Sequence, residues 1–146
     1  MFIGVAMEEF INIVCDNLGI DPPQIVREPD EVFPNDTMPA MLTQDGKKLG
    51  LRKNIGNEFD AYFSVAHELR HVWQINKKPY LLDGYRLREE CYDLDEYCLQ
   101  DAEIDANAYA AIVMTDLFRV KPLFQGYSER VKDAINIRIK EIIAGI

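Results

Sequence analysis

Four of the chain's seven prolines lie between Asp21 and Asp36, in DPPQIVREPDEVFPND, and this stretch divides the sequence more sharply than any other feature. Proline lacks an amide hydrogen and holds φ near −65°, so a regular helix is forbidden there and an extended, rigid connection is expected. Before it, from about Val5 to Leu18, Phe10, Ile11, Val14 and Leu18 recur at helical spacing, and Gly19 supplies a stop. After it, AMLTQDGKKLGLRK carries an Asp45-Gly46 pair suited to a tight turn between two short strands, with Ala40, Leu42, Leu49 and Leu51 as the buried face.

Beyond NIGN the periodicity turns helical through about Asn76, with Val65, Leu69 and Val72 as a core-facing stripe that Trp73 extends. Pro79 and Asp83-Gly84 end that element. A second helical region is expected from about Leu87 to Phe118, broken once near Leu99–Asp101, and its alanine-rich later half permits close approach by another helix. Ser128 reads as the N-cap of a C-terminal amphipathic helix over 128–144, carrying Val131, Ile135, Ile139 and Ile142. The pattern is α+β, mainly helical, with a short antiparallel hairpin or small sheet. A chain of 146 residues is expected to fold as one domain, 1–146, with a core of its own.

Charge and cysteine usage narrow the function classes. Asp and Glu number 25 against 16 Lys and Arg, a formal charge of −9 with no basic stripe, which argues against nucleic acid as a direct ligand. The longest apolar run, Ala108 to Met114, is far too short to cross a bilayer, and MFIGVAMEEFINIV lacks the basic start and cleavage site of a signal peptide. Cys15, Cys91 and Cys98 are odd in number and fit no zinc-ribbon spacing. A cytoplasmic protein with reduced thiols and no membrane association is expected.

Both histidines of the chain stand in YFSVAHELRHVWQ, four residues apart. On a helix, positions i and i+4 face the same side, so His67 and His71 can aim at one point at the reach of a Zn–N bond, about 2 Å. Glu68 lies about 100° around the helix from His67, close enough to hold a water without ligating the metal. H-E-x-x-H recurs in zinc peptidases for this reason, with the glutamate as general base. The competing reading is a helix with two ordinary polar side chains on it.

A catalytic zinc takes three protein ligands and keeps one position open. The downstream candidates are Asp93, Asp95, Glu96, Asp101, Glu103, Asp105 and the thiols of Cys91 and Cys98, and spacing alone does not choose among them. The neighbourhood DAEIDANAYAA favours Glu103. Asn107 shares its helix face, Ala106 and Ala110 are small enough for the histidine helix to pack close, and the Asn107 amide oxygen could accept a bond from a histidine Nδ1–H.

AHELRH followed by EIDANAYA resembles the ImmA/IrrE metallopeptidase family, whose members carry A-H-E-x-x-H on one helix and E-x-x-A-N-x-[FY]-A on a later one. The second motif falls on Glu103, Ala106, Asn107, Tyr109 and Ala110, and the resemblance spans roughly Ala40 to Met114. It implies a gluzincin-like zinc peptidase, a mainly helical zincin-like domain with His67, His71 and Glu103 as ligands to one Zn²⁺ per chain, or Mn²⁺, and Glu68 as base. Characterised relatives cleave helix-turn-helix repressors, often for phages or other mobile elements, so a transcriptional repressor is the implied partner. The alternative is an antirepressor-like protein that binds metal and its regulator without cutting. Arg70 stands where many relatives carry glycine, and IVMTDLF replaces a common Leu-Leu-Met-Pro ending. Tyr85, Arg86, Tyr92, Tyr97 and Tyr109 are the candidate oxyanion or substrate contacts, and a substrate segment is expected to add to the strand around Lys47–Lys53.

Overall fold

The computed structural model describes residues 4–146. Helix α1 covers Met7–Leu18 and buries Phe10, Ile11, Val14 and Leu18, as their spacing predicts. Gly19 closes it at φ 67°, where its backbone N–H reaches the last carbonyls of the helix. The proline-rich stretch is more than a connection: Gln24–Glu28 forms strand β1. Pro22, Pro23 and Pro29 bracket this strand instead of interrupting it, and β1 lies at a sheet edge, where only one side needs hydrogen bonds.

The expected hairpin is present as β2 (Ala40–Leu42) and β3 (Lys48–Arg52), paired antiparallel. Ala40, Leu49 and Leu51 are buried on its inner face. Strand β1 joins the other side of β3 in parallel, giving the order β1-β3-β2. This corrects the expectation of substrate addition along Lys47–Lys53, because both edges of β3 are already paired. The pairing that overturns it joins residues distant in sequence, which local periodicity does not reveal.

Helix α2 covers Phe59–Lys77 and carries both histidines. The region expected as one helix with one break is more divided. A 3-10 turn at Arg88–Glu90 is followed by the short α3 (Leu94–Cys98), and α4 runs from Asp101 to Phe118. The acidic side chains account for the division. Glu90 accepts from the Leu87 amide and Asp93 from the Glu96 amide, local bonds that compete with a continuous helical ladder. Helix α5 (Glu129–Ile143) starts at Ser128, whose hydroxyl accepts from the Val131 amide at 3.2 Å. Together these elements make a mainly helical α+β fold with a three-stranded mixed sheet.

The main core joins α1, the sheet, α2 and α4 around Phe10, Leu49, Leu51, Tyr62, Leu69 and Met114. Phe10, Tyr62 and Phe118 meet there ring to ring. A smaller cluster seats Val131 and Ile135 of α5 on Ala108 of α4. Helix α4 is thus covered on both sides, consistent with an alanine-rich sequence that presents little bulk in any direction. No helix among the described residues is long and apolar enough to cross a membrane.

Candidate metal centre

Helices α2 and α4 approach closely because Ala66, Ala102, Ala106 and Ala110 are fully buried and contribute only methyl groups. That proximity brings His67 and His71 of α2 against Glu103 of α4. One ligand atom from each can be chosen so that all three lie within 4.8 Å of one another. His67 Nε2 is 3.1 Å from His71 Nε2 and 3.3 Å from Glu103 Oε1, and His71 Nε2 is 2.8 Å from Glu103 Oε2. Tetrahedral zinc with Zn–N and Zn–O bonds near 2 Å separates neighbouring ligand atoms by about 3.3 Å. The observed spacings, 2.8 to 3.3 Å, reach that figure at their upper end.

The hydrogen-bond partners of the rings make the fit more specific. His67 Nδ1 lies 2.8 Å from Asn107 Oδ1, and His71 Nδ1 lies 2.8 Å from Gln74 Oε1. An amide oxygen only accepts, so both Nδ1 atoms carry hydrogen and both Nε2 lone pairs turn inward. Two lone pairs and a carboxylate therefore converge with no donor of their own. Such a set calls for a proton, a water or a cation among its members, and a metal ion meets all three atoms at once. Burial works against a charged His71, yet the adjacent Glu103 carboxylate outweighs it and pushes the imidazole pKa up to about 9. Glu103 is held well below the usual carboxylate range, against its own burial, by the same two rings.

Gln74 was not among the residues singled out from the sequence. Its amide nitrogen donates to Ala102 O at 2.9 Å and to Asp105 Oδ2 at 2.8 Å, so its oxygen has to face His71. Asp105 accepts two bonds from Arg70, at 2.8 and 2.9 Å, and further bonds from Arg138 of α5. The only signal in the sequence is a glutamine three residues after His71, on the same face of a helix whose neighbours are apolar.

The other carboxylates considered as ligands have different partners. Asp93 caps α3, Asp95 accepts from Ser128, Glu96 pairs with Arg86, and Asp105 is held by the two arginines; Asp101 is exposed. Cys98 is buried, and desolvation pushes its thiol up to about 11, so it is a neutral apolar group there. Cys91 is buried as well.

Glu68 lies between the ligands in sequence and is partly exposed. Desolvation raises its pKa, opposed by the two imidazoles and aided by Glu103. Among the candidate contacts, Tyr85 is at the centre, with its hydroxyl donating to Glu103 Oε2 at 2.9 Å and lying 3.1 Å from the Tyr97 hydroxyl. Two of the candidates are turned to other partners. Tyr109 points away, its hydroxyl donating to Asn17 at 2.6 Å and its ring lying under Arg70. Arg86 turns its guanidinium to Glu96. In both cases a closer polar partner captures the side chain, which sequence spacing does not register. Tyr92 is 91 % exposed.

Compared with known proteins, the chain matches no family model, no curated protein and no solved structure.

Proposed function

We propose that this chain is a zinc-dependent endopeptidase acting on a protein partner, with a helix-turn-helix repressor as the partner its motifs suggest. The observation that carries the reading is the convergence of three acceptor atoms from His67, His71 and Glu103, with both Nδ1 atoms already committed. His67, His71 and Glu103 would hold the ion. A bound Zn²⁺ supplies Lewis acidity, bringing water toward ionisation near neutral pH and polarising a peptide carbonyl.

The chain's own residues supply the remainder. Glu68 accepts a proton from the attacking water and returns it to the departing amine. Desolvation disfavours its charged form, which suits a group that has to take up a proton from water. Asn107 and Gln74 hold the two rings in the tautomer that frees Nε2. Tyr85 donates its single hydroxyl hydrogen to Glu103 Oε2 and so orients that carboxylate; it would serve a developing oxyanion only by turning away from Glu103.

The deciding experiment compares zinc content and cleavage of a partner repressor for the parent and Glu68→Gln. Retained zinc with lost cleavage supports the peptidase. Retained partner inactivation in Glu68→Gln would replace this reading with a metal-stabilised protein that binds without cutting.

A further inference from the structure

A cleft of about 560 Å³ opens between the start of α2 and the chain that joins α4 to α5. Phe59, Asp60 and Phe63 form one wall, and residues 120–125 with Tyr127 form the other. Phe59, Phe63, His67 and His71 stand four residues apart on one line of α2. Their successive ring centroids are 6.1, 6.5 and 4.8 Å apart. Phe63 lines the cleft and neighbours His67, so this row of rings leads from the cleft to the candidate metal centre.

The opposite wall is mainly apolar, with Lys121 and Gln125 among its residues, and is shaped by an unusual backbone. Phe124 sits at φ 52°, a left-handed conformation that bulky side chains rarely adopt. Its ring meets Phe63 edge-on at 5.7 Å and lies flat against Tyr127 at 5.8 Å. Leu123 beside it is 65 % exposed. One exposed leucine is ordinary on a protein surface. Here it stands with Val120, Pro122 and Phe124 on the wall that faces Phe59 and Phe63. The charged lining groups, Asp60 and Lys121, are opposite in sign, so neither an acidic nor a basic side chain is preferred.

We propose that this cleft receives a large apolar side chain, aromatic or leucine-sized, from a residue flanking the bond presented to the metal centre. The assignment rests on the peptidase reading and adds its substrate class: an extended peptide with a bulky apolar residue next to the scissile bond. Continuity with the metal centre selects this occupant. A chain whose carbonyl lies beside His67 has Phe63 as its next neighbour along α2, and burial there of a benzyl or isobutyl group removes apolar surface on both partners from water.

The test titrates the zinc-loaded full chain with acetohydroxamate and with short peptide hydroxamates that differ only in one side chain: benzyl, methyl or carboxymethyl. The benzyl compound is expected to bind roughly thirty-fold tighter than the methyl one, and the carboxymethyl compound no tighter than methyl. Leu123→Ala should reduce the benzyl preference several-fold and leave acetohydroxamate binding unchanged. Equal affinities for benzyl and methyl would overturn the proposal. A second measurement follows amide NMR shifts of the metal-free protein with N-acetylphenylalanine methylamide, with shifts expected at 59–63 and 120–127. If those shifts appear while no hydroxamate binds, the cleft assignment stands and the peptidase reading fails. If both are silent, the cleft assignment falls too.

Discussion

Gln74 accepts a hydrogen bond from His71 at 2.8 Å and, through its amide nitrogen, donates one of the same length to Asp105. The ring that faces the candidate metal position is thereby tied to an ion-pair network reaching α5 through Arg138. Both donor hydrogens of the glutamine amide are committed to acceptors, so the amide cannot flip without losing them.

Gln74 does not itself ligate the candidate metal position, yet replacing it should disturb metal binding there. Gln74→Ala is expected to weaken zinc affinity about 10- to 100-fold, measured by chelator competition. It should also lower stability by about 1–3 kcal/mol, because Ala102 O and Asp105 lose a buried donor. A changed visible spectrum of the cobalt-loaded variant would show that the ligand ring itself has moved. An unchanged spectrum and affinity would reduce Gln74 to a packing residue.

Zinc that binds only the folded chain must stabilise it. At a free concentration a hundred times Kd the gain is about 2.7 kcal/mol, readable as a rise in Tm that chelator reverses. Glu103→Ala should lose most of that rise, whereas Glu68→Gln should keep it. A parent protein whose Tm ignores both zinc and chelator would mean that the cluster holds a proton and not a metal.

The Asp105 network should make the protein sensitive to acid. Burial alone would raise the Asp105 carboxyl, but Arg70, Gln74 and Arg138 outweigh it and hold the pKa below its ordinary 3.8. A carboxyl with a depressed folded pKa contributes stability above its unfolded value and loses it as pH falls through the folded one. Unfolding free energy should thus decline below about pH 4. The decline should be shallower in Asp105→Asn, although that variant starts from lower stability at neutral pH. Equal slopes for parent and variant in urea titrations across this range would contradict the assignment.

Gly46 tests the junction between the hairpin and α2. It holds φ at 73°, and a Cβ there would come within 2.7 Å of Ile75 Cδ1. Gly46→Ala is expected to cost about 1 kcal/mol or more in denaturant unfolding. Gly46→Asn places the same Cβ against Ile75 but tolerates the left-handed region better, so a smaller loss for Asn would assign the cost to backbone conformation. Equal losses would assign it to the contact.

What was legible in the chain was what nearest neighbours decide. The Asp45-Gly46 turn, the Ser128 cap, the Gly19 stop and the alignment of His67 with His71 all depend on residues within about one turn or one hairpin, and each is present. The packing of α4 against α2 was legible in part, because Ala106 and Ala110 announce a close approach. The identity of the third acceptor was not settled by spacing, since several carboxylates share that acidic stretch. Tertiary structure separated them by giving Asp93, Asp95, Glu96 and Asp105 other partners and leaving Glu103 facing the rings.

The same holds for the third strand and for Gln74, Tyr85 and Tyr109. Each is placed by a contact between residues far apart in the chain: β1 on β3, Gln74 on Asp105, Tyr85 on Glu103 and Tyr109 on Asn17. Local periodicity says which way a side chain leaves its own helix or strand. Only the packed neighbours decide what it meets there, because a hydrogen bond depends on a few tenths of an ångström that no sequence spacing specifies.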